Sequence, residues 1–276
     1  MSTLIGLINQ LLTGLFGLIA WPLWKMGAMA LLVVISFVSA LMALVIFSRF
    51  SDQEAIRKVR NRIRGNMLAL RLFQDSVPVI LRLQLEIIRD TLSYIRYSLI
   101  SLPFLMIPFL LILVQLDLHL TARALQPGES AVVKARFSRT PRTDDRITLE
   151  SPEGITVETP PVKIAALKEV AWRIRAEAPT RDVLILHWGD EVIEKEIIVG
   201  SGGGAVSSLR TGKVMEMLFH PGEAPIRGSL EVESIQIIYP DRELSVWGWE
   251  VHWVILFFVL SFFFAFACKG FMGVEI

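Results

Sequence analysis

The residues of this sequence best placed to do chemistry are polar side chains set inside or beside apolar runs. Ser36, Ser39, Ser48 and Arg49 lie in or just past one such run, Ser98, Ser101 and Gln115 belong to a second, and Ser261 sits in a third. Inside a membrane such groups face a bundle interior or a water-filled cavity, because lipid offers them no hydrogen bonds. Together they suggest a shallow polar groove open at the end where Arg49 stands. Any one serine would serve equally as a helix-to-helix hydrogen bond worth about 0.6 kcal/mol. Neither use involves covalent chemistry.

Other constellations point away from catalysis. His119, His187, His220 and His252 are far apart, with no pair at helical ligand spacing, so no metal site is expected. The glycine run at 200–204 has no Lys-Ser or Lys-Thr after it and reads as a flexible break rather than a phosphate loop. No nucleophile elbow, zincin helix or kinase signature occurs, so neither an enzyme nor a cofactor is expected. Cys268 is the sole cysteine, which excludes an intrachain disulfide framework and a cysteine-cluster metal site. A net charge of +1 gives no reason to expect specific binding to nucleic acid.

The elements that position these residues follow from hydropathy. With 276 residues, 53% of them hydrophobic, and a mean hydropathy of +0.53, the chain is too apolar for a soluble domain. Residues 27–48, 98–118 and 251–268 are predicted to span a membrane, each run covering the roughly 30 Å hydrocarbon layer at about 1.5 Å per residue. Residues 1–26 alternate Leu4, Ile5, Ile8, Leu11, Leu12, Leu15, Phe16 and Ile19 with Asn9, Gln10 and Thr13, and are read as an interfacial amphipathic helix, with a fourth span as the alternative. They lack a basic leader and a small-residue cleavage site, so a cleaved signal peptide is not expected.

Residues 49–97 carry ten arginines and lysines, among them Arg57, Lys58, Arg60, Arg62, Arg64 and Arg71, against five acids. The positive-inside rule places this segment in the cytoplasm, the region 119–250 outside it and the tail 269–276 back inside. The segment reads as two helices joined at Gln74-Asp75-Ser76-Val77-Pro78, with Asp75 or Ser76 as cap. Apolar series at Ile56, Val59, Ile63, Met67, Leu70 and at Ile80, Leu81, Leu85, Ile88, Leu92, Ile95 predict an antiparallel coiled-coil hairpin. A basic hairpin beside a bilayer is also suited to anionic lipid.

Between the second and third spans, alternating segments at 131–137, 147–149, 155–157, 170–176, 183–188 and 192–199 are punctuated by turn residues such as Pro127-Gly128 and Gly189-Asp190. They predict an immunoglobulin-like sandwich over 119–199, the break at 200–204, and a hairpin region at 205–250 in which 230–239 pairs with 243–246. Trp247, Trp249 and Trp253 read as an interfacial belt. The expected fold is therefore a membrane α-helical protein with three transmembrane helices, an N-terminal amphipathic helix and a cytoplasmic helical hairpin, carrying an extracytoplasmic all-β domain.

This order of parts resembles the YidC-type insertase superfamily, especially its short archaeal members. The resemblance is carried by 11–24 (LLTGLFGLIAWPLW), by the step Phe47-Ser48-Arg49-Phe50-Ser51-Asp52-Gln53 and by the basic helix that follows to Arg64. It covers 1–118 and 251–276, whereas the β domain at 119–250 sits elsewhere in larger bacterial relatives. The resemblance implies a membrane-protein insertase or chaperone whose hydrophilic groove takes the polar flanks of a substrate while its apolar helix slides into lipid. Arg49 would offer charge to acidic flanks, the serines hydrogen bonds, and the hairpin a surface for nascent chain, ribosome or anionic lipid. Other membrane proteins would be substrates or partners, and the membrane a bacterial or archaeal cytoplasmic one. The competing reading is a non-catalytic envelope assembly or scaffold subunit whose β domain binds an extracytoplasmic partner.

Overall fold

Alternating segments of the sequence form strands and uninterrupted apolar runs form helices in the computed structural model. It describes residues 2–73, 75–142, 144–189, 191–200, 204–226, 231–246 and 248–272, without the side chains of 2–8 and 24. Gln74, Asp190, 201–203 of the glycine run, Leu230, Trp247 and the tail beyond 272 lie outside the described residues, as do the side chains of Leu4, Ile5 and Ile8. The chain divides into two compact units, Met1–Leu32 with Leu113–Trp253, and Val33–Ile112 with Val254–Ile276.

Seven helices and eleven strands are described. In chain order the helices are α1 (Ser2–Trp24), α2 (Ala28–Phe50), α3 (Gln53–Leu72), α4 (Val77–Leu99) and α5 (Leu102–Leu120), then, after most of the strands, α6 (Val214–Phe219) and α7 (Trp253–Met272). Three of them, α2, α5 and α7, are long and apolar enough to cross a membrane. Pro103 enters α5 in its first turn and Pro108 lies inside it, as spanning helices tolerate.

In the first unit the strands are β1 (Ser130–Phe137), β2 (Ile147–Glu150), β3 (Ile155–Val157), β4 (Val162–Ile164), β5 (Glu169–Ala176), β6 (Thr180–Trp188), β7 (Glu191–Val199), β8 (Leu209–Thr211), β9 (Val232–Ile238), β10 (Leu244–Val246) and β11 (Trp249–Val251). A six-stranded antiparallel sheet runs β3-β5-β1-β9-β8, with β4 beside β5, and a second antiparallel sheet runs β2-β6-β7. Successive side chains on a strand point to opposite faces. Ala131, Val133, Ala135 and Phe137 of β1 therefore share one buried face with Trp172 and Ile174 of β5 and Ile235 and Ile237 of β9. Leu184, Leu186, Trp188, Ile193 and Ile197 of the smaller sheet complete the same core. Phe137 and Trp188 meet across it with ring centroids 4.2 Å apart.

The sequence-based hairpin between 230–239 and 243–246 is corrected. Strand β9 lies between β1 and β8, and β10 pairs with β11. The segment after the glycine run thus continues the sandwich sheet instead of forming a separate hairpin region. Its apolar phase, Val232, Ile235 and Ile237, is buried in the same core as β1, and burying that face outweighs the short turn at Pro240. Helix α1 packs on α6, where the Asn9 amide donates to the Met217 carbonyl at 2.7 Å. Leu11, Leu15, Leu18 and Trp21 of α1 remain exposed.

In the second unit α3 and α4 pack as a hairpin. Asp52 caps α3 by accepting the Ala55 N–H at 2.9 Å, and α4 starts after Ser76 with Pro78 in its first turn. Ile56 and Val59 are buried. The packed stripe of α4 differs from the predicted one. Of the predicted residues only Ile80 is sheltered, while Leu81, Leu85, Ile88, Leu92 and Ile95 are exposed. The sheltered series is Ile80, Leu83, Ile87, Asp90, Tyr94 and Tyr97. Asp90 lies on that face, its carboxylate 3.4 Å from the Arg62 guanidinium on α3.

Candidate functional site

The polar residues of the apolar helices fall into three groups. On α2 and α7, Ser36, Ser39 and Ser261 are buried together, and the Ser261 hydroxyl donates to the Ser36 carbonyl at 3.4 Å. Phe37 and Phe264 pack edge-on beside them, 5.3 Å between centroids. The hydroxyls of Ser36 and Ser39 are buried with no hydrogen-bond partner among the described residues. Leaving a hydroxyl buried without a partner costs about 1–3 kcal/mol. These two are therefore held in place by the surrounding packing rather than by a bond of their own.

At the junction of α4 and α5, the Ser101 hydroxyl donates to the Ser98 carbonyl at 2.8 Å, while the Ser98 hydroxyl is buried without a partner among the described residues. Arg49 is exposed in the last turn of α2, and the neighbouring Ser48 hydroxyl turns back onto the Val45 carbonyl at 2.8 Å. Gln115 belongs to the first unit, where its amide donates to the Thr13 hydroxyl of α1 at 3.2 Å. Its spacing in the apolar run could not reveal this, because the partner is contributed by a helix about a hundred residues earlier in the chain.

The Ser51-Asp52-Gln53 step has a local physical explanation. The Ser51 N–H closes the last turn of α2 onto Phe47, the Asp52 carboxylate caps α3, and the Gln53 amide donates to the Ser51 hydroxyl at 2.5 Å. Phe50 stacks on Phe104 at 4.1 Å and packs this corner against the start of α5. Of the basic residues on α3, Arg57, Lys58, Arg62, Arg64 and Arg71 are exposed and Arg60 is half-buried. Lys58 pairs with Glu54 at 2.7 Å, and that hydrogen bond raises its pKa. Both partners are solvated, so the pair adds little to stability.

In the β domain a group was missed that the alternation could have signalled. Lys195 occupies the inward phase of β7 between Ile193 and Ile197 and is completely buried. Its ammonium donates to the Glu223 carboxylate and, at 2.8 Å, to the Ser207 carbonyl. Burial pushes its pKa down against the opposing pull of Glu223. Glu223 also accepts the Glu196 N–H at 3.0 Å. Along the same outer edge of β7, the Ile198 N–H donates to the Tyr239 hydroxyl at 3.2 Å, Arg210 donates to the Glu194 carbonyl, and the Gly200 N–H donates to Leu125. The edge that could have paired with another strand is thus closed by side chains and loop. Gly222 lets the Glu223 segment approach, since a Cβ there would lie 2.6 Å from the Ser207 Cβ.

The Trp253 indole donates to the Thr121 hydroxyl at 2.8 Å, and Thr121 donates to Asp117 at 2.6 Å. Backbone bonds join Arg123 to Pro240 and Arg242 to Thr121. Arg123 forks onto Glu129 with both contacts at 2.8 Å, which holds the Glu129 carboxyl down at about 2. Among the described residues no group of three or more His, Cys, Asp or Glu is gathered that could hold a metal ion.

Comparison with known proteins adds no assignment. No family model matches the chain, and no curated protein does. A solved S-layer protein is similar at 17% identity over 35% of this chain and 14% of its own length, with a TM-score of 0.24. So weak a likeness carries no argument about fold or function.

Proposed function

We propose that this chain is an integral membrane protein that acts as a YidC-like insertase or chaperone through a polar intramembrane groove. In this reading α2, α5 and α7 cross a bacterial or archaeal cytoplasmic membrane. The hairpin of α3 and α4 lies in the cytoplasm, and the β domain, immunoglobulin-like in its two antiparallel sheets, lies outside. The arginine excess of 49–97 supports the orientation. The association of α1 with the β domain supports an interfacial α1 on the outer side.

One observation carries the functional part. Ser36 and Ser39 present buried hydroxyls without partners among the described residues, beside Ser261 and on the helix that ends at exposed Arg49. Serines acting only as helix-to-helix glue would have their hydrogen bonds made. Both serines are fully buried, so in this reading a polar segment reaches their hydroxyls by parting α2 and α7, and each bond then lowers the cost of desolvating it. Arg49 at the cytoplasmic end attracts acidic flanks.

The test is insertion of a short, acidic-tailed membrane substrate into liposomes containing the purified protein. Arg49→Lys is expected to retain insertion, while Arg49→Glu and Ser36→Ala/Ser39→Ala lower it severalfold with assembly unaltered. Equal insertion with and without the protein would refute the reading. The alternative is then a scaffold subunit whose β domain binds an extracytoplasmic partner.

A further inference from the structure

Helix α4 carries two apolar series at heptad spacing, and α3 covers only one. The uncovered series, Leu81, Leu85, Ile88, Leu92 and Ile95, steps by four and three residues, and its members are 45–69% exposed. At 100° per residue it lies nearly opposite the Ile80, Leu83, Ile87 and Asp90 face that meets α3. An apolar series of this narrow width and spacing is the seam of a helix-to-helix contact.

The two edges of the seam differ. One is lined by Arg82, Arg89 and Arg96, all exposed and seven residues apart, and the other by the uncharged, exposed Gln84 and Thr91. Arg82 has a solvated partner in Glu86 at 3.2 Å, while Arg89 and Arg96 make no ion pair among the described residues. The geometry points to this outer face of α4 as the docking site for an amphipathic helix of a partner protein, with acidic residues along one flank of its own apolar seam.

Charge decides between the possible occupants. A second copy running parallel sets the arginine edge against the uncharged edge of Gln84 and Thr91, and an antiparallel copy sets arginine against arginine, so neither supplies carboxylates. A lipid surface favours a broad apolar face with aromatic anchors, whereas this seam is one residue wide and wholly aliphatic. Bidentate pairing of guanidinium with carboxylate is the match the arginine edge offers. The span from Leu81 to Ile95 is about 21 Å at 1.5 Å per residue, so a partner helix of roughly four turns covers it. The inference does not depend on insertion activity.

The experiment uses the full chain in nanodiscs of neutral lipid and two labelled helical peptides with identical Leu and Ile seams. One carries Glu at the flanking positions and the other Lys. The Glu peptide is expected to bind at least about tenfold more tightly than the Lys peptide, a difference of about 1.4 kcal/mol. Ile88→Asp abolishes that binding, and Arg82→Glu/Arg89→Glu/Arg96→Glu, which leaves the face towards α3 untouched, reverses the preference. Equal binding of the two peptides, or an unreversed preference in the triple variant, overturns the proposal. So does an environment-sensitive dye at Ile88→Cys, in a Cys268→Ser background, that responds to anionic lipid and not to the Glu peptide. Disulfide crosslinking of Ile88→Cys between two copies would assign the face to self-association instead.

Discussion

The outer edge of β7 and the outer face of α4 are both surfaces where a chain could dock, and the protein treats them oppositely. Along β7 the outward backbone groups are occupied by Glu223, Tyr239, Arg210 and Leu125, with the buried Lys195 holding Glu223 in place. Along α4 five aliphatic side chains stand in solvent beside three arginines. An unpaired strand edge accepts almost any strand, because backbone hydrogen bonds carry no sequence information. A helix seam selects its partner through side-chain spacing and flanking charge. Closing the first surface and leaving the second open limits association to partners that fit.

The comparison breaks most sharply at Lys195. Lys195→Met removes one member of a buried ion pair and leaves the Glu223 carboxylate without its cation, which costs about 3–5 kcal/mol. Denaturant unfolding of the full chain, followed by the fluorescence of the domain tryptophans, is the measurement. The double variant Lys195→Met/Glu223→Gln is expected to recover much of that loss, because no charge is then stranded. A loss below about 1 kcal/mol in the single variant would show that the pair does not secure the β7 edge.

A smaller effect separates the two faces of the hairpin. Ile56→Ala empties a fully buried position on α3 and is expected to cost about 2–4 kcal/mol. Leu85→Ala on the exposed face of α4 is expected to stay within about 0.5 kcal/mol. Amide exchange over α3 and α4 reads both. Comparable loss of protection from the two variants would place Leu85 in the hairpin contact and remove the distinction between its faces.

The smallest expected effect is a pH dependence confined to the domain. Arg123 holds the Glu129 carboxyl down at about 2, against 4.5 for a free side chain. A depressed carboxylate stabilises the fold above its unfolded pKa, and that contribution is lost as pH falls through the folded value. The stability of the domain should therefore decline between about pH 4.5 and 2, and Glu129→Gln should remove part of that decline. The pair is part-exposed, so the step is modest. Unchanged acid unfolding in Glu129→Gln would show that the fork is solvated away.

Much of the architecture is written in local patterns. Long apolar runs produced α2, α5 and α7 because a helix satisfies its own backbone wherever the side chains are apolar. Period-two alternation located β1, β2, β3, β5, β6 and β7, since one buried face imposes that period on any strand. Lys195 was legible too, as a charge in the inward phase of β7, although its partner Glu223 was not. What tertiary structure alone decided was which of several locally acceptable surfaces found a mate. Both series of α4 satisfy a heptad, and packing on α3 took the one that contains Asp90, beside Arg62. Val232, Ile235 and Ile237 would suit a hairpin or a sheet, and the open edge of β1 selected the sheet. The partner of the Gln115 amide, Thr13 of α1, likewise came from a distant segment. In each case periodicity specified a face, and the free energy of burial went to whichever distant segment offered the complementary charge, edge or hydrogen bond.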